Sequence, residues 1–266
     1  EDELDRQMRV YGERFDHNLH ALRIVESFEQ RYARFPGLNL TFAVREGMVK
    51  HSHDIEPGEC AELDEYLPGL RPPLEAQLID LADEVAYNTA DLDDGYSAGL
   101  FSMDDIARDV PHYAALSGEI ERRFPDAPEP IRFQETLRRL IDQLVSGLIT
   151  GTSERVAASG VETPDDVRRH PRLVGFTTGA GETNAALKRF LYARVYSAPP
   201  LLEERRVACA GIAALFGYLM RHPEELPEAY RERSQDLTPQ RMVCDYIAGM
   251  TDGFFRRTAA RLLGHR

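Results

Sequence analysis

The spacing of the apolar residues constrains the fold of this 266-residue chain more than any other feature. In most segments apolar side chains recur every three or four residues, which is the period that gives an α-helix one apolar face. The stretch from Phe15 to Tyr32 shows this spacing and ends at the breaker sequence Phe35-Pro36-Gly37. Residues 171–177 alternate with a period of two, which predicts one short strand. The sequence therefore predicts an all-α fold, a multi-helix bundle.

Capping and breaker residues locate the predicted helices. Asn39 or Thr41 is expected to cap a helix through "FAVREGMVKHS", and Pro73 opens the next one. The remaining helices are predicted over 73–93, from Ser102 or Met103 onward, 113–124, 128–158, within "TPDDVRRH", 182–197, 199–221, 223–229 and 238–264. Residues 52–72 are predicted to be a loop region, and the glycine-rich "TTGAGET" (177–183) a flexible connector.

Composition limits the class of protein. Hydrophobic residues make up 42% of the chain and charged residues 29%, enough for a packed core. The formal net charge of -13 argues against a general nucleic-acid or membrane-surface binder, but it is compatible with a local basic pocket for a small anion. Cys60, Cys209 and Cys244 are far apart and are expected to be reduced packing residues. The sequence shows neither a signal peptide nor a membrane span, and we expect a cytoplasmic protein.

One predicted helix, "DLADEVAYNTADLDDG" from Asp80 to Gly95, concentrates six carboxylates. With about 100° between successive residues, polar side chains cluster within or beside an arc of about 80°. This acidic face consists of Asp80, Asp83, Glu84, Tyr87, Asp91 and Asp94. The opposite side is predicted to be apolar and buried, and it consists of Leu78, Leu81, Ala82, Val85 and Leu92.

Two interpretations of the acidic face remain open from the residues alone. It is either a solvated surface, or a surface that a cation or a hydrogen-bonding ligand opposes. Tyr87 has no lysine or arginine four residues away, and like charges at that spacing weaken a helix. Carboxylate oxygens suit divalent metals such as Mg, Mn or Fe, so the second interpretation predicts a metal or a nucleotide there.

Five blocks of sequence occur in a fixed order along nearly the whole chain. They are "RFDHNLHALRIVES", "FPGLNLTFAVREGMVKH", "LEAQLIDLADEVAYNTADLDDG", "NAALKRFLYARVYSAP" and "DYIAGMTDGFF". Together they closely resemble the deoxyguanosinetriphosphate triphosphohydrolase family, the dNTP triphosphohydrolases of the HD-domain superfamily. The resemblance implies an all-α, metal-dependent hydrolase with an HD-domain-like bundle. Its substrates would be deoxynucleoside triphosphates of the dGTP type, split into deoxynucleoside and triphosphate by water that attacks the α-phosphorus.

The resemblance also implies roles for individual residues. The family holds its divalent metal with a histidine, an adjacent His-Asp pair and a later aspartate in a D-x3-Y-x3-D pattern. That pattern is matched here by Asp83, Tyr87 and Asp91. By this match Asp83 would be a metal ligand, and Tyr87 and Asp91 would face the sugar or the triphosphate of the substrate.

The chain departs from the family pattern at the other metal ligands. They should precede the "FDHN" block, and no His-Asp pair in the right context occurs there. The His53-Asp54 dipeptide lies in a segment flanked by proline and glycine, and we interpret it as loop. The chain is expected to be the portion C-terminal to these motifs, without their N-terminal helices. With one of four metal ligands, it is expected to bind metal poorly and to hydrolyse little on its own.

Two further groups of residues are candidates for the site. His17 and Asn18 match the family's "FxHN" type of block, and His17 is a candidate proton donor, the alternative being a helix cap or surface residue. Arg23 lies further along the same helix and would contact phosphate or form a surface salt bridge.

Positive charge is needed to hold a triphosphate in so acidic a protein. Lys188, Arg189 and Tyr192 form a basic cluster with a tyrosine, and their alternative is a solvated helix face. Lys50 and His51 are interpreted as charges that favour the C-terminus of their own helix.

The predicted organisation follows from the resemblance. Residues 1–100 would be the remainder of the catalytic helical core. Residues 101–266 would complete the pocket and an oligomer interface, within one globular unit. Homo-oligomers from dimer to hexamer are expected, with no membrane partner; nucleic acid is not expected as a partner, although regulation by single-stranded DNA stays open.

Two alternative functions are carried beside the hydrolase. The first is a non-catalytic helical module that binds nucleotides or mediates assembly. The second is an all-α Mg-dependent nucleotide pyrophosphohydrolase, which would require paired acidic motifs on two helices.

Overall fold

A computed structural model describes residues 1–58 and 60–264 of the chain. It confirms the all-α prediction, because α-helices with short 3₁₀ and π-helical turns form the secondary structure. The strand predicted over 171–177 is wrong. Within the described residues the β-type pairing is limited to an isolated bridge between Gln30 and Gly37. An alternating segment without a neighbouring strand has no ladder to complete, and residues 171–176 form an extended connection instead.

The chain divides into two compact units. Unit 1 consists of Glu1–Leu40 together with Leu202–Arg266, and unit 2 is the continuous segment Thr41–Leu201. The predicted division at residue 100 concerned roles in catalysis and assembly, and it stays a prediction.

Unit 2 is built around long helices that pack side by side. Its α-helices are α3 (Phe42–Val49), α4 (Leu74–Ser97), α5 (Met103–Asp109), α6 (Pro111–Arg123), α7 (Glu129–Ser159), α8 (Pro164–Arg169) and α9 (Thr178–Leu191). A 3₁₀ turn at Ala61–Tyr66 and a π-helical turn at Tyr192–Tyr196 complete it. Helix α7 packs against α4, α6 and α9, so it is central to this unit.

One apolar core joins these helices. It consists of Val85, Leu92, Phe101, Ile106, Val110, Tyr113, Leu116, Phe133, Leu137, Leu140, Leu144, Ala186, Leu187, Phe190, Leu191 and Val195. The helical spacing of these residues along α4, α6, α7 and α9 turns one stripe of each helix inward. The core therefore fixes which face each helix leaves outside.

Capping residues explain where short helices begin. The Ser102 hydroxyl accepts a hydrogen bond from the Asp105 N–H, and the Asp105 carboxylate accepts one in return from the Ser102 N–H. Thr163 and Asp166 form the same reciprocal pair at the start of α8. Such pairs satisfy backbone donors that a helix start leaves without partners.

The glycine-rich segment is not a connector, which corrects the prediction for 177–183. Thr177 is the N-cap of α9, and the following residues form its first two turns. The Thr177 N–H donates to the Gly147 carbonyl of α7 over 2.9 Å. Glycines cost a helix about 1 kcal/mol each relative to alanine, but tertiary packing supplies most helical stability. Here the small residues let α9 approach α7 closely.

Unit 1 has its own helices and its own core. Its α-helices are α1 (Asp2–Arg9), α2 (His17–Arg23), most of α10 (Pro199–Arg221), α11 (Glu228–Arg233), α12 (Pro239–Ala248) and α13 (Asp252–Leu263). Helix α1 packs against α12. The buried core consists of Leu4, Met8, Phe15, Leu215, Phe216, Leu219, Leu226, Val243, Cys244 and Ile247.

Two predicted helices of unit 1 are shorter than expected. The helix predicted over 238–264 is broken into α12 and α13, because Thr251 caps a new helix by accepting a hydrogen bond from the Phe254 N–H. The helix predicted from Phe15 to Tyr32 begins at His17 and closes with a π-helical turn at Ile24–Phe28. The segment that follows folds back, where the Leu38 N–H donates to the Val25 carbonyl.

The three cysteines are free thiols. Cys244 is buried, and burial raises the pKa of its thiol to about 12. Cys60 and Cys209 are half-buried, so only Cys244 is a core residue in the strict sense. Within the described chain, no helix carries an apolar stretch that would reach across a bilayer.

Candidate active site

Helix α4 presents three faces rather than two. Val85 and Leu92 are buried as predicted, and the polar residues Asn88 and Thr89 are buried beside them. Leu78 and Ala82, which were predicted to be buried, are exposed. Ala82 borders an open apolar groove between α4 and α7, which is also lined by residues such as Ala86, Leu137, Ile141 and Val145. The acidic face lies on the third side.

The predicted metal and substrate residues of the acidic face share one accessible surface. The Asp83 side chain is 61% exposed and Tyr87 is 40% exposed. Burial raises the pKa of Tyr87, and the charges of Glu84, Asp91 and Asp83 add to the increase against the opposing effect of Lys188. At neutral pH the Tyr87 hydroxyl is therefore protonated and able to donate a hydrogen bond.

A cation from α9 opposes the acidic face. The Lys188 ammonium lies 3.0 Å from the Glu84 carboxylate. The other Glu84 oxygen accepts a hydrogen bond from the Asn184 amide over 2.6 Å, and the Asn184 oxygen accepts one from the buried Asn88 over 3.1 Å. This chain of contacts aligns α4 with α9 and places Lys188 beside the Tyr87 surface.

Asp91 is engaged by a residue that the sequence analysis did not select. The Tyr196 hydroxyl, in the π-helical turn after α9, donates to Asp91 Oδ2. Burial raises the pKa of Tyr196, and the hydrogen bond to Asp91 raises it further. One oxygen of Asp91 is thus held by Tyr196, and the direction of the carboxylate is fixed.

A network of ion pairs occupies Asp80 at the start of the acidic face. Asp80 accepts a hydrogen bond from the Arg172 guanidinium over 2.7 Å and from the Ser52 N–H over 3.0 Å, and His51 Nδ1 lies 2.8 Å from it. Arg172 also donates to Asp54. Burial lowers the pKa of Arg172, but Asp80 and Asp54 outweigh this effect and raise it. Asp80 is therefore committed to structure.

Asp83 is the candidate metal ligand that remains accessible. His51 Nε2 lies 3.8 Å from Asp83 Oδ2, beyond hydrogen-bond distance. Within residues 1–58 and 60–264, no group of three or more histidine, cysteine or acidic side chains is close enough together to hold a metal ion. The described residues therefore supply one accessible carboxylate toward a metal and do not fit a complete site by themselves.

The other candidates of unit 2, Arg189 and Tyr192, are exposed on α9 and the turn that follows it. Arg189 is exposed, and Tyr192 is 69% exposed. The Tyr192 N–H donates to the Lys188 carbonyl, so α-helical spacing extends from Lys188 to Tyr192, where the π-helical turn begins. These side chains extend the accessible surface beside Lys188.

Three candidates lie in unit 1. His17 is the first residue of α2, half-exposed, with Nδ1 2.9 Å from a Glu1 carboxylate oxygen. Asn18 is buried. Arg23 points toward the buried Asp245, with 3.5 Å between the guanidinium and the carboxylate. Their predicted contacts with substrate stay predictions.

Some contacts of this surface were missed in the sequence. Tyr196 lies within the "NAALKRFLYARVYSAP" block, so a signal for it was present, and Asp80 and Glu84 were placed on the acidic face without their partners. Arg172 gave no signal, and His51 was interpreted only as a charge at the end of its helix, because their partners are distant in sequence or on another element.

Lys50 is another correction. It was interpreted as a charge at the end of its own helix, yet it is fully buried and its ammonium donates to Glu46 and to the Leu67 and Leu70 carbonyls. A buried ammonium needs such partners, and burial lowers its pKa.

Comparison of the amino-acid sequence with known proteins identifies relatives of this chain. Residues 174–261 match the family model of the phosphohydrolase-associated domain. A deoxyguanosinetriphosphate triphosphohydrolase-like protein of Caulobacter vibrioides is 40% identical over 268 residues, which is 96% of this chain and 68% of that protein. Proteins of the same name from Geobacter sulfurreducens and from an Azoarcus species are each 38% identical, over 96% and 98% of this chain. The chain spans 66% and 69% of these two relatives, about two thirds of their length.

Proposed function

The chain belongs to the deoxyguanosinetriphosphate triphosphohydrolase-like family of the HD superfamily, and on that basis we propose that its protein is a phosphohydrolase acting on deoxynucleoside triphosphates. The products would be deoxynucleoside and triphosphate, and a dGTP-type substrate is the first candidate. The supporting observation is that Lys188 of α9 lies beside the acidic face of α4, with its ammonium 3.0 Å from the Glu84 carboxylate. An acidic wall for a metal and a cation for phosphate meet on one accessible surface.

Roles for the residues follow from their charge and exposure. Asp83 would be one ligand of a divalent metal such as Mg or Mn, with the other ligands supplied by residues that this sequence does not contain. Such a metal polarises phosphoryl oxygens and activates water. Lys188 and Arg189 would neutralise triphosphate oxygens, as ammonium and guanidinium groups do.

The remaining residues of α4 and α9 would position the nucleotide. The protonated Tyr87 hydroxyl would donate to a phosphate or sugar oxygen. A carboxylate repels phosphate, so Asp91, oriented by Tyr196, would accept a hydrogen bond from a sugar hydroxyl. Tyr192 would cover the bound substrate with its exposed ring.

For unit 1, we retain His17 as the proposed proton donor to the leaving group, and Asn18 and Arg23 as proposed substrate contacts. Arg23 would have to exchange its interaction with Asp245 for a phosphate oxygen.

The test is product analysis of the full-length gene product and of this 266-residue chain with a dNTP mixture and Mn²⁺ or Mg²⁺. We expect deoxynucleoside and intact triphosphate from the full-length protein. Asp83→Ala should reduce the rate of hydrolysis by at least roughly 100-fold. That is the upper end of the loss seen when a residue that only holds a metal ligand in place is mutated, and Asp83 would be a ligand itself. Asp94→Ala is the matched control, because it removes a carboxylate from the same acidic face and has no proposed role.

The rival proposal is a helical module that binds nucleotides without hydrolysing them. It is favoured by the observation that the described residues hold no group of three metal ligands. Absence of triphosphate from the full-length protein with either metal, together with retained nucleotide binding, would reject the hydrolase in favour of this module.

Assembly and location complete the proposal. We propose a cytoplasmic homo-oligomer, from dimer to hexamer, which sedimentation of the full-length protein would reveal. Addition of single-stranded DNA to the product assay tests whether single-stranded DNA regulates hydrolysis.

A further inference from the structure

Unit 2 has, besides the apolar groove, a polar cavity with a basic lining. It measures about 340 Å³ and opens where the segment before α4 meets the end of α8. Its lining consists of Gly69, Leu70, Arg71, Arg168, Arg169, His170 and Pro171. Three arginines and a histidine line this cavity and no carboxylate does, in a chain whose net charge is -13.

Backbone contacts fix the walls of this basic pocket. The Arg71 N–H donates to the Arg168 carbonyl over 2.9 Å, which joins the two segments. The Gly69 N–H donates to the Ile55 carbonyl over 2.8 Å. The buried Lys50 ammonium holds the Leu70 carbonyl from behind, over 2.9 Å. The pocket therefore has a defined shape before any ligand enters.

The basic residues of the lining differ in how many ion pairs they form with carboxylates of the protein. Arg168 is neutralised by Glu46 on one side and Asp165 on the other, so it serves the structure. Arg71 donates a hydrogen bond from one guanidinium nitrogen to Asp54 and also lines the cavity.

The two remaining basic residues of the lining are Arg169 and His170. Arg169 is exposed, and after the hydrogen bonds from Thr163 and Glu162 its charge also lowers the pKa of the nearby Asp166 carboxyl. His170 Nδ1 lies 2.9 Å from the Pro171 carbonyl. A carbonyl only accepts, so Nδ1 carries a hydrogen, and His170 donates to a phosphate oxygen through Nε2 only as the doubly protonated imidazolium.

We propose that this pocket binds the phosphate group of a small phosphorylated molecule through Arg71, Arg169 and His170. Guanidinium forks match phosphate oxygens in geometry and charge. The volume lies at the small end of ligand sites, which run from about 300 Å³ upward, and suits a phosphate or short polyphosphate group. The overall negative charge of the chain repels anions, whereas this lining has basic side chains and no carboxylate, so the pocket favours an anion locally. This site does not rest on the proposed hydrolysis.

The experiment is isothermal titration of the full-length gene product, without added metal, with three probes in turn: inorganic phosphate, triphosphate and a dNTP. The Lys188→Ala background removes the proposed phosphate contact of the acidic face, so that the basic pocket is observed alone. In that background we expect at least one probe to bind, and Arg169→Glu to weaken its affinity at least about tenfold. Arg139→Ala, an exposed arginine on α7, is the matched control and should leave the affinity unchanged.

The order of affinities identifies the ligand class. Equal binding of phosphate and triphosphate indicates a single phosphate group, tighter binding of triphosphate indicates a polyphosphate, and a further gain with the dNTP indicates a nucleotide. Thermal unfolding of each variant confirms that it is folded. The proposal is overturned if no probe binds in the Lys188→Ala background, or if Arg169→Glu and Arg139→Ala bind the probes equally well.

Discussion

Glu84 shows how a single residue can set the charge of a surface. Its carboxylate accepts from Asn184 and pairs with Lys188, so the ammonium that we propose for phosphate binding is partly neutralised by the protein. Four residues away, Asp80 is paired with Arg172, while Asp83 is left accessible. Neighbouring carboxylates of one helix thus differ in accessibility and pairing, because their partners lie on other elements.

Glu84→Gln is predicted to tighten the binding of triphosphate by about two- to fivefold, the range that corresponds to a partly exposed ion pair. Glutamine still accepts the hydrogen bond from Asn184 but no longer competes for Lys188. Titration of the full-length protein with triphosphate measures the change. Asp94→Asn removes the same charge from the same face away from Lys188, and an equal gain in that variant would show a general field effect instead.

Residue patterns revealed only part of this surface. Helical geometry is local, so Asp83, Tyr87 and Asp91 could be placed on one face from their spacing. Tyr196 and Arg172 contact that face from positions about one hundred residues further along the chain. No periodicity encodes such pairs, because they arise only when the segments before and after α9 pack against α4.

Helix α9 shows the same limit at the scale of whole elements. Its start was predicted to be a connector because glycine disfavours helices, and packing against α7 reverses that preference. The start of α5 at its cap Ser102 was predicted correctly, whereas the Thr251 cap that begins α13 was missed. A local cap can therefore be recognised from sequence but is easily overlooked, and close helix contacts leave no local signal.

Gly151→Ala tests the contact between α7 and the segment before α9. An added Cβ would lie 2.5 Å from the Gly175 oxygen and from backbone atoms of Phe176 and Thr177, which cannot move aside easily. We expect the free energy of unfolding to fall by about 1–3 kcal/mol. Gly179→Ala, with no atom within 4 Å of the new Cβ, should instead stabilise the helix by up to about 1 kcal/mol. Chemical denaturation compares the two, and equal effects would contradict the close approach.

The capping box of α5 predicts a pH dependence. Hydrogen bonds from the Ser102 N–H and hydroxyl, with Arg108, lower the pKa of Asp105 to about 2. Since the folded value is lower than the ordinary value of about 4, its stabilising contribution is complete above about pH 4 and is lost as the pH falls toward 2. The stability difference between wild type and Asp105→Asn should therefore shrink over that range. Asp104→Asn is the control, and a constant difference for Asp105→Asn would refute the low pKa.

At the scale of the whole molecule, the two units differ in how the chain builds them. Unit 2 is one continuous segment with its core inside its own bounds, whereas unit 1 takes its core from both ends of the sequence. The resemblance in the sequence covered both units without showing a boundary, because apolar spacing is equally helical in each.

Residues 41–201 are therefore predicted to fold when expressed alone. The reason is that the apolar cluster of unit 2 lies entirely within this segment. A single cooperative thermal transition with helical circular dichroism is expected. A matched segment of unit 1, residues 1–40 alone, should stay unfolded, since it lacks Leu215, Phe216 and Val243. A gradual, non-cooperative transition for 41–201 would count against the division.

The discontinuity of unit 1 also has a consequence for synthesis on the ribosome. A chain emerges from its N-terminus, and domains fold as units once their residues are available. Unit 2 is available when Leu201 has emerged, but Leu4, Met8 and Phe15 must wait for Val243 and Ile247. During that interval the first helix keeps an apolar stripe without its partner, so the nascent protein should depend on chaperones most while residues 202–247 are being translated.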